Sequence, residues 1–220
     1  MKVIIITDSL GLPRSTPESV QFEDTYIEKL KDRYKDIKFI SLSLGGATLA
    51  TLKEQYFNYF QPVNPDLVIV HAGIVDCAPR ALKKWEAAVI NSNFVSRKIY
   101  SVLFKRHTTF IRKVRKLTYT PMAQFEKMVG EFGHLLQDKV VWFTIIPART
   151  VYEEQLPGIA DNINNYNSAL KSVLGSRVID LADMPDEGIM SDHHHINEIG
   201  HRHVYLKLTG IIDELRNKAG

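Results

Sequence analysis

The sequence predicts an α/β fold, a three-layer sandwich built on a five-stranded parallel sheet. Three observations predict it. Five short apolar runs rich in β-branched residues recur along the chain, and segments with helical spacing alternate with them. At 220 residues, with 45% hydrophobic and 24% charged content, the chain can bury one sizeable core.

Val3–Ile6 reads as the first strand, and Phe22–Tyr34 as the helix that returns to Ile37–Ile40, the second. Thr48–Tyr59 forms the next helix and Leu67–Val70 the third strand. Helical spacing then covers Arg80–Ile90, Phe94–Leu117 and Met122–Leu136, with Thr120-Pro121 as cap and first turn of the last. Val140–Ile145 is the fourth strand, Ile159–Leu174 a helix, Val178–Leu181 the fifth strand and Asn197–Asn217 the closing helix.

More than sixty residues separate the third strand from the fourth, far beyond a single crossover helix. Residues 87–120 are therefore expected to form a helical insertion beside the functional edge of a single domain spanning 1–220. From Ala87 to Phe125 there is no acidic residue, while Arg97, Lys98, Lys105, Arg106, Arg112, Lys113, Arg115 and Lys116 crowd together. Ile99, Leu103, Phe110, Val114 and Leu117 fall near one helix face, leaving most of these charges on the other; Phe94, Tyr100, Phe104 and Phe110 read partly as packing positions.

The net charge of +3 says little by itself about partners. The start, MKVIIITDSL, has four consecutive apolar residues, too few for the core of a signal peptide, and no run approaches a membrane span. The lone Cys77 forms no internal disulfide, so a reducing cytoplasm is the expected location. No nucleic-acid module accompanies the basic block, which leaves an anionic ligand, a membrane surface or a protein as its expected contact.

In a doubly wound sheet, ligands gather at the carboxyl ends of the strands. There the sequence places Thr7-Asp8-Ser9, then Ser43-Leu44-Gly45-Gly46-Ala47-Thr48, then His71-Ala72-Gly73-Ile74-Val75-Asp76, and finally Ser191 to His201. A serine at a strand-to-helix turn offers a hydroxyl and its own N–H; glycine lets a backbone N–H approach an oxyanion closely. Asp192 and His195, separated by two residues on a loop, can lie close enough for the carboxylate to orient the imidazole.

Taken in order, these four blocks resemble the signature of the SGNH, or GDSL-like, hydrolases, whose sheet is flavodoxin-like. The stretch from Asp192 to His201 is the most diagnostic. The resemblance implies Ser9 as nucleophile, His195 as base and Asp192 as its orienter, with Gly46 beside Ser9 in the oxyanion hole. Gly45, Gly73, Asp76 and Arg80 complete the expected substrate-binding set.

Two positions depart from the family pattern. Thr7 stands where a glycine is usual. Val75 stands where an asparagine usually donates to the oxyanion, and valine cannot donate. Arg80 is the nearest candidate to replace that donor.

His193, His194, His195, His201 and His203 raise the question of metal. Glu198 and His201 form one Glu-x-x-His, and with no cysteine pair in the chain neither metal nor cofactor is expected.

The resemblance thus implies a serine esterase working through an acyl-enzyme on a small acyl ester, such as O-acetyl on a carbohydrate or glycan precursor. The alternatives are an O-acyltransferase of surface-polysaccharide biosynthesis and a catalytically weakened glycan-binding protein.

Overall fold

The structure is a computed structural model and describes residues 1–94, 97, 98, 100 and 107–219. Five parallel strands form one sheet in the order β2-β1-β3-β4-β5: β1 Lys2–Thr7, β2 Lys38–Ser43, β3 Leu67–His71, β4 Val140–Phe143 and β5 Val178–Ile179. This is the expected sheet. β1 pairs with β2 from Lys2–Lys38 to Thr7–Ser43, and with β3 from Val3–Leu67 to Thr7–His71.

Side chains alternate across a strand, and here both faces are buried. Ile4, Ile6, Val68, Val70, Val140 and Trp142 face one helical layer, formed by α2 (Leu49–Gln55), α6 (Met122–Leu136) and α8 (Ile159–Leu174). Val3, Ile5, Leu67, Ile69 and Phe143 face the other, formed by α1 (Tyr26–Arg33) and α9 (Glu198–Ala219). Burial on both faces is why the strands read as continuous apolar runs.

Periodicity located α6 and α8 to the residue. Elsewhere it overran: the second predicted helix becomes α2 followed by a π-turn over Tyr56–Phe60. Arg80–Ile90 shortens to α4 (Lys84–Asn91), after the short α3 (Ile74–Cys77), and Val178–Leu181 pairs only through Ile179. Thr120 is not the cap of α6: Pro121 holds that position, and the Thr120 hydroxyl donates to Asp76 instead. The helix α7 (Thr150–Gln155) was not anticipated.

Within residues 87–120, α5 covers Thr108–Arg115. Ile99, Leu103, Phe104, Lys105 and Arg106 lie outside the described residues. Phe94 and Phe110, which read partly as packing positions, are in fact 71% and 67% exposed, and Val114 is 64% exposed. The polar face turns toward the domain instead. Arg115 donates to Glu86 at 2.7 and 2.8 Å and to the Ala81 carbonyl at 2.9 Å, and the Arg80 N–H donates to the Leu117 carbonyl at 2.7 Å. Paired with Arg115, the Glu86 carboxyl is held down at about 2. No described helix is long and apolar enough to cross a membrane.

The last loop is fastened by glycine contact. A Cβ on Gly200, in the first turn of α9, would lie 2.7 Å from Ile196 Cβ and collide with the Gly188 carbonyl. Alanine in a helix interior normally gains about 0.5–1 kcal/mol over glycine. Here overpacking should win: Gly200→Ala should lower unfolding free energy by about 1–3 kcal/mol, read from urea denaturation.

Candidate active site

Ser9 stands two residues after the end of β1 and opens a 3₁₀ turn, Ser9–Gly11. Asp8 caps that turn by accepting from the Leu10 N–H at 3.0 Å. Thr7, at the usual glycine position, packs without conflict: its buried hydroxyl donates to the Asp8 carbonyl and pairs with Ser43 Oγ, both at 2.9 Å.

The loop before α9 brings the imidazole to this point. Asn197 anchors it, accepting from the Ile199 and Gly200 N–H groups at 2.9 and 3.3 Å and donating to the Glu187 carbonyl at 2.6 Å. Asp192 folds the loop inward: its Oδ1 accepts from the His194 and His195 N–H groups at 3.2 and 3.0 Å. Its Oδ2 accepts from His195 Nδ1–H at 2.6 Å. Nε2 of His195 is therefore an acceptor, and Ser9 Oγ–H donates to it at 2.9 Å.

Burial opposes ionisation of Asp192, but hydrogen bonds from His195 and the charge and backbone of His194 outweigh it, and the carboxyl sits well below its usual range. The array has a fixed polarity: carboxylate, imidazole, hydroxyl. Such an array can accept the hydroxyl proton as the oxygen attacks an electrophile.

Ser9 and His195 lie on a cavity of about 530 Å³, shared with Gly45, Gly46, Val75 and Arg80. A larger cavity of about 730 Å³, between α6 and α8, includes neither Ser9 nor His195. Gly46 has φ +71°, a left-handed conformation that favours glycine. Neither the Ser9 nor the Gly46 N–H donates to a protein acceptor among the described residues. Arg80 Nη2 donates to the Val75 carbonyl at 3.2 Å, and its guanidinium lies 4.2 Å above the Tyr119 ring.

Two expected binding residues are elsewhere. Gly73 and Asp76 do not line this cavity. Gly73, at φ +138°, passes so close to Ile145 that a Cβ would come within 2.9 Å of it. Asp76 is fully buried, and both its oxygens accept from the Leu49 N–H at 3.0 Å, capping α2 from the short helix α3. A carboxylate after a strand reads the same in sequence whether it faces ligand or core.

The histidines divide in the same way. His201 is buried, with Nδ1 accepting from the Tyr26 N–H at 3.3 Å, and burial foremost pushes it down to about 4. His203 pairs with Asp183 at 3.2 Å on the surface. Ligand atoms of Asp192, His194 and His195 come within 4.8 Å of one another, the one such metal-ligating group among the described residues, and there they bond to each other.

Arg14 was missed. An isolated bridge between Arg14 and Val20 turns its chain back toward the cavity, where its Nη2 touches His195 Nε2. Arg112 of α5 reaches the same cavity, as do Tyr119 and Tyr152. No local motif marks these residues, since chain reversal and residues 87–120 bring them there.

Asp8 is fully buried, and Oδ2 has no partner among the described residues. Burial raises its pKa to about 7, with the nearby Asp76 charge adding to the shift. Between 3.8 and about 7 the folded chain keeps a proton that the unfolded chain has lost, so this group lowers stability as pH rises through that window. The stability of Asp8→Asn relative to the parent should therefore increase between about pH 5 and about pH 8 in urea denaturation.

No family model matches the sequence, and no curated protein matches it. Solved structures match over nearly the whole chain. A lipase/acylhydrolase from Enterococcus faecalis is 15% identical, with a TM-score of 0.66 over 99% of this chain and 96% of that one. The acetyl xylan esterase AlAXEase is 19% identical, with a TM-score of 0.61 over 96% and 100%. A GDSL-like lipase from Bacteroides thetaiotaomicron is 10% identical, with a TM-score of 0.62 over 97% and 88%. At these identities the likeness is one of fold, and the chain has the fold of the SGNH, or GDSL-like, hydrolases.

Proposed function

We propose that this protein is a serine ester hydrolase acting on a small acyl ester, such as an O-acetyl group on a carbohydrate. The observation that carries the reading is the line from Asp192 through His195 to the Ser9 hydroxyl, at 2.6 and 2.9 Å, opening on a cavity. Ser9 Oγ attacks the ester carbonyl and His195 takes its proton. The alcohol leaves with that proton, and water, activated by the same imidazole, releases the acyl group. Acetyl xylan esterases among the proteins of like fold support acetyl as the group transferred.

Charge on the tetrahedral intermediate needs donors. The N–H groups of Ser9 and Gly46 supply two. Val75 supplies none, so we assign the third to Arg80, held beside Val75 by its carbonyl.

Val75 also favours a second reading, a weakened site that binds glycans without turning them over. Fluorophosphonate labelling separates the two. The parent protein should form an adduct that Ser9→Ala loses, and a parent that stays unlabelled argues for the binding protein. Arg80→Ala should slow acylation by p-nitrophenyl acetate on the order of a hundredfold while leaving the urea midpoint little changed. An unchanged rate removes Arg80 from the oxyanion site. Added sugar acceptors that become acetylated would assign the second half-reaction to transfer rather than hydrolysis.

A further inference from the structure

Three arginines from three separate segments converge on the Ser9 cavity: Arg14 from the loop after β1, Arg80 from the loop after α3, and Arg112 from α5. No Asp or Glu side chain lines that cavity. Elsewhere Arg33, Arg115, Arg149 and Arg216 each pair with a carboxylate, and Arg177 donates to the carbonyls of Leu174 and Gly133. Arg14, Arg80 and Arg112 form no ion pair among the described residues, and the Nε atoms of Arg80 and Arg112 are buried with no partner there. Asp192, bonded to the His195 that lines the cavity, is already engaged by His195 and His194.

Holding three half-buried guanidinium groups together without a counter-charge is unfavourable. Their placement is also built rather than loose. Arg80 is fixed by the Val75 carbonyl and the Tyr119 ring; α5, which carries Arg112, is clamped by the paired Arg115 and Glu86. Arg14 rests against the imidazole nitrogen that receives the serine proton, so its N–H and the Ser9 hydroxyl compete for one lone pair. An anion in the cavity gives Arg14 a better acceptor and leaves that lone pair to Ser9.

We infer that the cavity formed by Arg14, Arg80 and Arg112 is an anion subsite that selects esters whose alcohol portion carries a carboxylate or phosphate. The inference rests on the ester-hydrolase reading, which makes the acyl group small and puts the charge on the alcohol side. Guanidinium suits both anions through paired N–H donors.

The test compares kcat/KM for 3-acetoxybenzoate with its neutral methyl ester, and for 3-acetoxyphenyl phosphate with phenyl acetate. The methyl ester is the more reactive of its pair in water, so a preference for the carboxylate reports binding. The parent protein should favour each anionic ester by at least about tenfold, the size of one charge-assisted hydrogen bond. That ratio should fall toward unity in Arg112→Gln and in Arg14→Gln, with Arg112→Lys in between. Whichever anion gives the larger ratio identifies the group the subsite fits. Equal kcat/KM within both pairs, with Ser9-dependent turnover of the neutral esters, overturns the subsite and leaves the hydrolase standing. A preference that survives both glutamine variants assigns it to the general positive field and also overturns the subsite. If no ester is turned over and Ser9 stays unlabelled, the hydrolase reading fails first, and the subsite with it.

Discussion

The hydrogen-bonded ladder on both sides of β1 is the constraint on which the site depends. β1 pairs with β2 and β3 along its length and ends at Thr7, so the next residues emerge in a fixed place at the carboxyl edge. The loops after β2 and β3 leave the sheet on either side of it and supply Gly45, Gly46 and Val75. Because both sheet faces are buried, a slip in register would displace apolar side chains from both helical layers. The stability of the core and the position of the Ser9 hydroxyl are thus one property.

Around this edge, polar groups are divided by depth. Asp8, Asp76, His71 and His201 are at most 1% exposed and serve the scaffold, whereas Asp192 and His194 are only partly buried and meet the buried His195 beside the cavity. Burial keeps the deep histidines uncharged, pushing His71 down to about 3. At the rim, Asp192 stays ionised because His195 and His194 donate to it.

Much of this was legible in the sequence, and for a physical reason. Strands buried on both faces leave unbroken apolar runs, and α6 and α8 keep a clean period because each packs one face on the sheet. The spacing of Asp192 and His195 is local, so the sequence carries it. Arg14 meets His195 from 181 residues away, through a loop whose shape depends on its bridge to Val20, and no local pattern encodes that meeting. Asp76 misled because an acid after a strand can turn inward when a helix N-terminus and a threonine wait there. Phe110 misled because amphipathic spacing records two faces without saying which one the domain takes; here Arg115 meets the domain, at Glu86, and Phe110 stays exposed.

Ser9 and His195 stand 186 residues apart in the chain, joined by a sheet whose strands pair only after their crossovers are complete. Ser9 precedes His195 along the chain, so during synthesis its hydroxyl has no imidazole partner until the loop before α9 has been made and α9 docks against α1. On the serine-hydrolase reading proposed above, reactivity at Ser9 would be a report that folding has finished.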